Sequence, residues 1–403
     1  MLRGLYHGWW VVICTFVIAL YGWGLGFYGL SLYLVALHKI HAWSPATISA
    51  AISFFYIAGA FLVMQVGDTI EKRGPRIVVL SGVGLIGLGV AGLTVVSEPW
   101  HLYFAFLVMI PGWVAMGGGA INTIIAQWFD RRRGLAASLA LNGATCGGLL
   151  FAPAFAWAID SWGFATACYA AVAVVVLTLW PLAAVVLRPR RAGEHDIGDD
   201  DTAMAEPSGQ PLSRRALLAE PRYLTMVGAF SLALLAQISF IAHQVAFLEP
   251  TLGLKAAGLA VSVTSLSALA GRFAVGLIID RVDRRLATSA NIGVQIAGMI
   301  VLLSTTSTAA LYVGCILFGF GLGNLITLPG LIVQVEFPRR DFARAVSLNV
   351  AITQFVAAVG PSILGLLHDL SGDYWTSIVA CLVLQTAAAL LILVRPRSHV
   401  RDA

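Results

Sequence analysis

Gly67-Asp-Thr-Ile-Glu71-Lys72-Arg73-Gly74-Pro75-Arg76 returns 209 residues later as Gly276-Leu-Ile-Ile-Asp280-Arg281-Val-Asp283-Arg284-Arg285. The glycine, the acid, the base after it and the closing arginine keep their places in both copies. A second pair has almost the same offset. Phe129-Asp-Arg131-Arg132 lies 24 residues before Pro153, Phe337-Pro-Arg339-Arg340 lies 24 residues before Pro361, and these two copies are 208 apart. A basic loop accounts for each segment singly but not for the shared offset, so the chain reads as a duplicated unit.

The sequence around these loops is apolar. Of 403 residues, 59% are hydrophobic and 11% charged, whereas soluble chains carry roughly 25% charged residues. Most apolar runs reach the ~20 residues that a bilayer-crossing helix needs. Twelve spans are expected, over 9–37, 45–67, 77–96, 101–127, 134–159, 163–187, 223–249, 256–279, 286–304, 309–335, 344–368 and 374–394. The fold class is all-α membrane, as two pseudo-symmetric six-helix bundles over 1–187 and 223–403. The segment 188–222, with Glu194-His-Asp-Ile-Gly-Asp-Asp-Asp201 and several prolines, is expected as a charged linker. The first span lacks a small-residue cleavage site after it and reads as a retained helix.

Charge sets the orientation. With the N-terminus in the cytoplasm, 22 of the 25 lysines and arginines fall on the cytoplasmic side, Lys39 and Lys255 fall opposite, and Arg272 lies inside a span. Enrichment of Lys and Arg in short cytoplasmic loops determines topology, so both termini are expected inside. A missed helix would scramble this alternation. The net charge of +5 follows from the same bias and gives no reason to expect nucleic acid.

Several chemistries find no support. The cysteines Cys14, Cys146, Cys168, Cys315 and Cys381 all lie in apolar runs without C-x-x-C spacing, as small hydrophobes do. No G-x-x-x-x-G-K-[ST] segment is present for ATP phosphates. No nucleophile–base or metal-ligand constellation stands out, so neither an enzyme nor a cofactor is expected.

Parallel repeats about an axis along the membrane normal build carriers whose substrate binds near mid-bilayer. The pattern Gly-x-x-x-acid-base-x-Gly-x-Arg after spans two and eight resembles the signature of the major facilitator superfamily, with Glu71 where aspartate is usual. The resemblance implies a conformational latch formed by Gly67, Glu71, Lys72, Arg76, Arg131, Arg132, Gly276, Asp280, Arg281 and Arg285. The glycines would permit close helix approach, and the acids would pair with loop arginines near helix termini.

A narrower resemblance rests on Trp128-Phe129-Asp-Arg131-Arg132-Arg133-Gly134-Leu135-Ala136. This segment looks like the one opening helix five in monocarboxylate transporters and oxalate/formate-type carriers. His7-Gly8-Trp9-Trp10, Trp43-Ser44, His243-Gln-Val-Ala-Phe-Leu and Gly271-Arg272 follow in the order found in bacterial members.

Arg272 carries most of the functional information. It lies eight residues before Asp280, about 12 Å along a helix. An arginine at a helix centre costs roughly 2.5–3.5 kcal/mol on insertion scales and cannot deprotonate. All twenty acids lie in loops, linker, tails or span ends. A substrate carboxylate is therefore one fitting partner, held bidentately. Snorkelling to the surface or capping of backbone carbonyls is the other. The resemblance implies the first, since a helix-eight arginine binds the carboxylate in that group.

Oxalate carriers of the group add a lysine in helix eleven, which span eleven lacks. One fixed charge suits a monocarboxylate such as lactate or pyruvate better than a dicarboxylate. Proton-coupled relatives carry a lysine in helix one and an aspartate four residues before the arginine, where Leu30 and Ala268 stand here. Proton symport, anion exchange and uncoupled passage therefore all stay open. His243 titrates near neutral pH in its ordinary state and is a candidate for coupling or for hydrogen bonding. Tyr28, Asn122, Asn142, Asn324, Asn349 and Gln354 are further candidates for substrate contact, against interhelical bonding as their plain use.

The leading expectation is secondary transport of a small organic anion by alternating access. Its rivals are movement of a larger amphipathic compound by the same fold, exchange of the oxalate/formate type, and a membrane sensor without flux. The expected partners are the anion, a co-transported proton or exchanged anion, and the lipid bilayer. A monomer in a plasma membrane, the bacterial inner membrane by its Arg- and Ala-rich composition, completes the expectation.

Overall fold

A computed structural model describes residues 6–129, 132–188 and 212–396. Among the described residues the chain is helical throughout, and twelve helices are long and apolar enough to cross a membrane. They run His7–His41, Pro45–Arg73, Pro75–Gly92, Pro99–Ala126, Arg133–Trp162 and Phe164–Val186, then Pro221–Leu252, Leu254–Ile278, Arg284–Ser304, Thr308–Ile326, Arg339–Ser371 and Tyr374–Leu393. They are called spans one to twelve below. Of the expected linker, residues 189–211 lie outside the described residues, as does Arg131, while Arg214–Ala219 forms a short helix.

Local chemistry explains the boundaries. Ser44 caps span two by accepting from Thr47 N–H, with Pro45 as the first helical residue, where a missing N–H costs nothing. Span two then runs to Arg73, six residues beyond its expected end. Gly74 at φ 81° stops it and Pro75 starts span three. Glu98 and His101 form a reciprocal capping box at the start of span four. Asp283 and Asp373 cap spans nine and twelve through their carboxylates.

Five spans are not uniform helices; span eleven opens with a 3₁₀ turn at Arg339–Asp341 and breaks at Val359. Spans one and five each contain a π turn, at Gly24–Tyr28 and Gly147–Phe151. Span four breaks at Gly117 and resumes at Gly118. Span ten tightens into a 3₁₀ turn at Gly323–Ile326, and a separate helix, Leu328–Glu336, follows. The sequence pattern reads 309–335 as continuous because both pieces are apolar.

The residues group into two compact units. The first takes 1–202 together with 244–262, and the second takes 203–243 with 263–403. Spans one and five meet closely in the first unit, where a Cβ at Gly143 would sit 2.0 Å from the carbonyl oxygen of Phe16. The 244–262 hairpin is part of this unit through several ties. Lys39 pairs with Glu249, and Lys255 with Asp160 at 2.9 Å. Ser31 Oγ accepts from Val245 N–H at 3.0 Å, and Ser262 Oγ donates to the Leu149 carbonyl at 2.9 Å. The second unit has an apolar core around Tyr223, Phe230, Leu325, Ile332 and Ile392.

Candidate functional site

Arg272 sits in span eight, half-buried, against span ten. Its Nε–H donates to the carbonyl of Gly323 at 3.2 Å. Gly258, Ser265 and Arg272 lie seven residues apart, so they form one stripe drifting about 20° per step around an α-helix. At the Gly258 end that stripe is in contact with protein, since a Cβ there would lie 2.5 Å from Cβ of Ala156 and 3.4 Å from Cα of Pro153. At Arg272 itself the helix meets span ten, since the two atoms nearest to a Cβ built on Gly323 are Nε and Cγ of Arg272.

The other polar candidates distribute unevenly. Asn324 is adjacent in sequence to Gly323, but its amide is buried and donates to Asn291 Oδ1 at 2.8 Å, while the Asn291 amide donates to the Gly321 carbonyl at 3.0 Å. This pair links spans nine and ten. His243 is 1% exposed. Its Nε2 lies 3.0 Å from the Pro361 carbonyl, which makes that nitrogen the donor, and its Nδ1 then accepts from the Tyr374 hydroxyl at 3.1 Å. Tyr374 also lies against the ring of His368, which contacts Asp369 at 3.2 Å. His243 thus joins span seven to spans eleven and twelve, and Arg272 belongs to a different set of contacts.

Asn349 is buried, and its Oδ1 has no hydrogen-bond partner among the described residues. Gln354 and Asn122 are exposed and Asn142 is half-buried. Tyr28 is buried with its ring edge-on to Phe27, 5.0 Å between centroids.

The two latch motifs take different forms. In the first copy Glu71, Lys72 and Arg76 are exposed, and Gly67 faces Thr123 Oγ1 at 3.7 Å. Arg132 is exposed. In the second copy Arg281 is exposed, Asp280 reaches Arg284 at 3.7 Å, and nothing among the described residues lies within 4 Å of a Cβ built on Gly276. Close helix approach is thus not the use of Gly276 here.

Arg285 is 1% exposed. It holds Glu336 through Nε and a terminal nitrogen at 2.6 and 2.7 Å. Its remaining donors reach Thr225 Oγ1 and the carbonyls of Arg222, Ile392 and Val394, at 2.9–3.1 Å. One guanidinium thus ties together the starts of spans seven and nine, the end of span twelve and the end of the helix after span ten. Where Glu336 stands, the first copy has Trp128 by the 208-residue offset. Trp128 carries an aromatic cluster instead, with Tyr6 O–H donating to its carbonyl, the His7 ring 4.9 Å away and the Arg188 guanidinium 5.6 Å from its ring.

Glu336, Asn291, Gly323 and Tyr374 escape the sequence reading. Arg285 and Glu336 are 51 residues apart, and no spacing rule joins them. Asn291 leaves a faint signal, as an amide about two helical turns inside an apolar span.

Comparison with known proteins adds the following. The Major Facilitator Superfamily profile matches residues 12–340 and 254–403. Monocarboxylate transporter 13 of Rattus norvegicus is 29% identical over 333 residues, which cover 79% of this chain and 73% of the relative. The fujikurins efflux protein of Gibberella fujikuroi is 24% identical over 365 residues, covering 85% and 71%. The crystal structure of nucleoside transporter NupG superposes with a TM-score of 0.74 at 16% identity, covering 96% of this chain and 98% of that one, which speaks to the fold alone.

Proposed function

The chain belongs to the major facilitator superfamily, and from that premise we propose that it carries a small organic anion, a monocarboxylate of the lactate or pyruvate type, with Arg272 binding the carboxylate. Members of the family are multi-pass membrane transporters rather than enzymes, so a small-molecule substrate and a lipid bilayer are its partners. The observation supporting the finer reading is the placement of a permanently charged guanidinium well inside span eight, against span ten and oriented by a backbone carbonyl. Such a group favours an anion in the low-dielectric interior, and its planar fork matches a carboxylate. The similarity to a monocarboxylate transporter agrees with this charge.

Alternating access would let this one site meet each side in turn, by relative movement of halves 1–187 and 223–403, with both termini in the cytoplasm. The positions that ionise in proton-coupled relatives hold Leu30 and Ala268, and His243 is engaged at both nitrogens. Uniport or anion exchange is thus favoured over a family-type proton relay. A second reading, export of a larger amphipathic compound, draws on the similarity to a fungal efflux protein and would leave Arg272 as a structural residue.

Uptake of labelled lactate, pyruvate and oxalate into proteoliposomes, with and without a pH gradient, tests the proposal. Arg272→Gln should lose at least about tenfold in carboxylate uptake, as expected for removal of a charge-assisted bond. Uptake by the variant equal to wild type would overturn the binding role. Acceleration of wild-type uptake by external acid would overturn the preference for uniport or exchange.

A further inference from the structure

Spans eight and ten cross with almost no space between their backbones. A Cβ at Gly319 would lie 2.3 Å from the Thr264 carbonyl oxygen, one at Gly271 1.9 Å from that of Phe320, and one at Gly323 2.4 Å from Nε of Arg272. These three obstacles differ in kind. At Gly319 and Gly271 the obstacle is backbone, so any side chain must push the helices apart. At Gly323 the two nearest atoms, Nε at 2.4 Å and Cγ at 2.9 Å, both belong to Arg272, and the Ala268 carbonyl oxygen is third at 3.0 Å. A methyl group at 323 would mainly displace the arginine.

The backbone at this point is also unusual. Span ten leaves α-helical geometry at Gly323, and Thr327 N–H bonds to the Asn324 carbonyl at 3.0 Å. In a continuing α-helix that N–H would bond to Gly323. The tightened turn diverts it, and the Gly323 carbonyl accepts Nε–H of Arg272 instead. Sequence supplies both parts of this arrangement, a residue with no side chain in the way and a turn that redirects one helical hydrogen bond.

We propose that Gly323 is the positioning residue of Arg272: its bare Cα makes room for the arginine stem, and its carbonyl fixes the plane of the guanidinium through Nε. The consequence for transport rests on the reading of Arg272 as the carboxylate-binding group, whereas the geometric claim does not. Gly323 touches no substrate in this scheme and acts only through the arginine. Alanine at 272 keeps neither Cγ nor Nε, so it leaves nothing of the arginine stem for a methyl at 323 to displace and no donor for the Gly323 carbonyl.

The test uses the full-length protein in four forms: wild type, Gly323→Ala, Arg272→Ala and the double variant. Phenylglyoxal modification of Arg272 is followed by mass spectrometry on substrate-free protein, with Arg344 as internal reference, and labelled lactate uptake is measured in parallel. Gly323→Ala should change the relative modification rate of Arg272 at least about threefold and raise the lactate KM about tenfold with the maximal rate within about twofold, the split expected of lost binding rather than lost turnover. In the Arg272→Ala background the same glycine change should alter the residual uptake by no more than about twofold, since two residues acting as one unit are not additive. An unchanged modification rate, or penalties that multiply in the double variant, would overturn the proposal. If Gly323→Ala fails to fold, a folded double variant still supports a clash with Arg272, and an unfolded one overturns it in favour of plain packing. If wild type moves no lactate, the substrate reading fails, and the modification ratio still decides the role of Gly323.

Discussion

Arg285 and Glu336 meet fork to fork, with Nε to Oε1 at 2.6 Å and a terminal nitrogen to Oε2 at 2.7 Å. The arginine is 1% exposed and the glutamate side chain 19%. Removing one member of such a pair strands a buried charge, which costs about 3–5 kcal/mol. Glu336→Gln should therefore lower the melting temperature of the purified protein in detergent far more than Glu71→Gln, whose carboxylate is exposed. Equal shifts in the two variants would show that the Arg285 network does not hold these helix ends together. Arg285→Met should recover part of the loss in the Glu336→Gln background, because no buried cation then remains.

Asp283 gives the second prediction. It caps span nine through Leu286 N–H at 2.9 Å and pairs with Arg395. Partial burial by itself raises its pKa, but the Leu286 N–H bond and the Arg395 partner outweigh it and hold the carboxyl below its ordinary 3.8. For a depressed carboxylate, stability is fully present above the unfolded value and is lost as pH falls through the folded one. The side chain is 44% exposed, so screening keeps the effect small. Asparagine caps almost as well as aspartate. Asp283→Asn should melt slightly below wild type at pH 7, with the gap narrowing as pH falls below 3.8 and in 1 M salt. A gap that did not narrow as pH fell below 3.8, nor in 1 M salt, would point to shape rather than charge.

Asn324 offers a third. Its amide faces Asn291 rather than an open cavity, and interhelical amide bonds in membranes are worth about 0.6–2 kcal/mol. Asn324→Ala should lower thermal stability by that order and leave the KM for lactate within about twofold. A KM increase of tenfold without loss of stability would place Asn324 in contact with substrate.

These cases show what was legible beforehand and why the rest was not. The twelve spans follow from run length and charge, because a bilayer imposes both on any chain that crosses it. The duplication follows from spacing. The placement of Arg272 within span eight is equally plain, since one charge in an apolar run is visible at any distance. Partner choice is different. That Asn324 meets Asn291, or that Arg285 meets Glu336 where the first copy has Trp128, depends on how helices far apart in sequence cross. The break at Gly323 was hidden for a related reason: a 3₁₀ turn and an α-helix share the same apolar composition, and only the diverted hydrogen bond of Thr327 separates them.

The hairpin 244–262 supplies the last prediction, about which force holds it. Two ion pairs reach it, Lys39–Glu249 and Lys255–Asp160, with lysine side chains 52% and 51% exposed. Exposed pairs contribute about 0–1 kcal/mol each and weaken with salt. At Gly258, by contrast, a Cβ would fall 2.5 Å from that of Ala156, and overpacking a tight contact costs about 1–3 kcal/mol. Packing should therefore outweigh charge. In melting experiments Gly258→Val should be more damaging than Lys39→Ala and Lys255→Ala combined, and 1 M salt should shift wild type little. The charge-swapped double variant Lys39→Glu/Glu249→Lys should melt close to wild type, while Lys39→Glu alone, which sets two carboxylates against each other, should melt below Lys39→Ala. If the lysine variants proved the more damaging, the hairpin would be held by its charges, and salt should then loosen it in wild type as well.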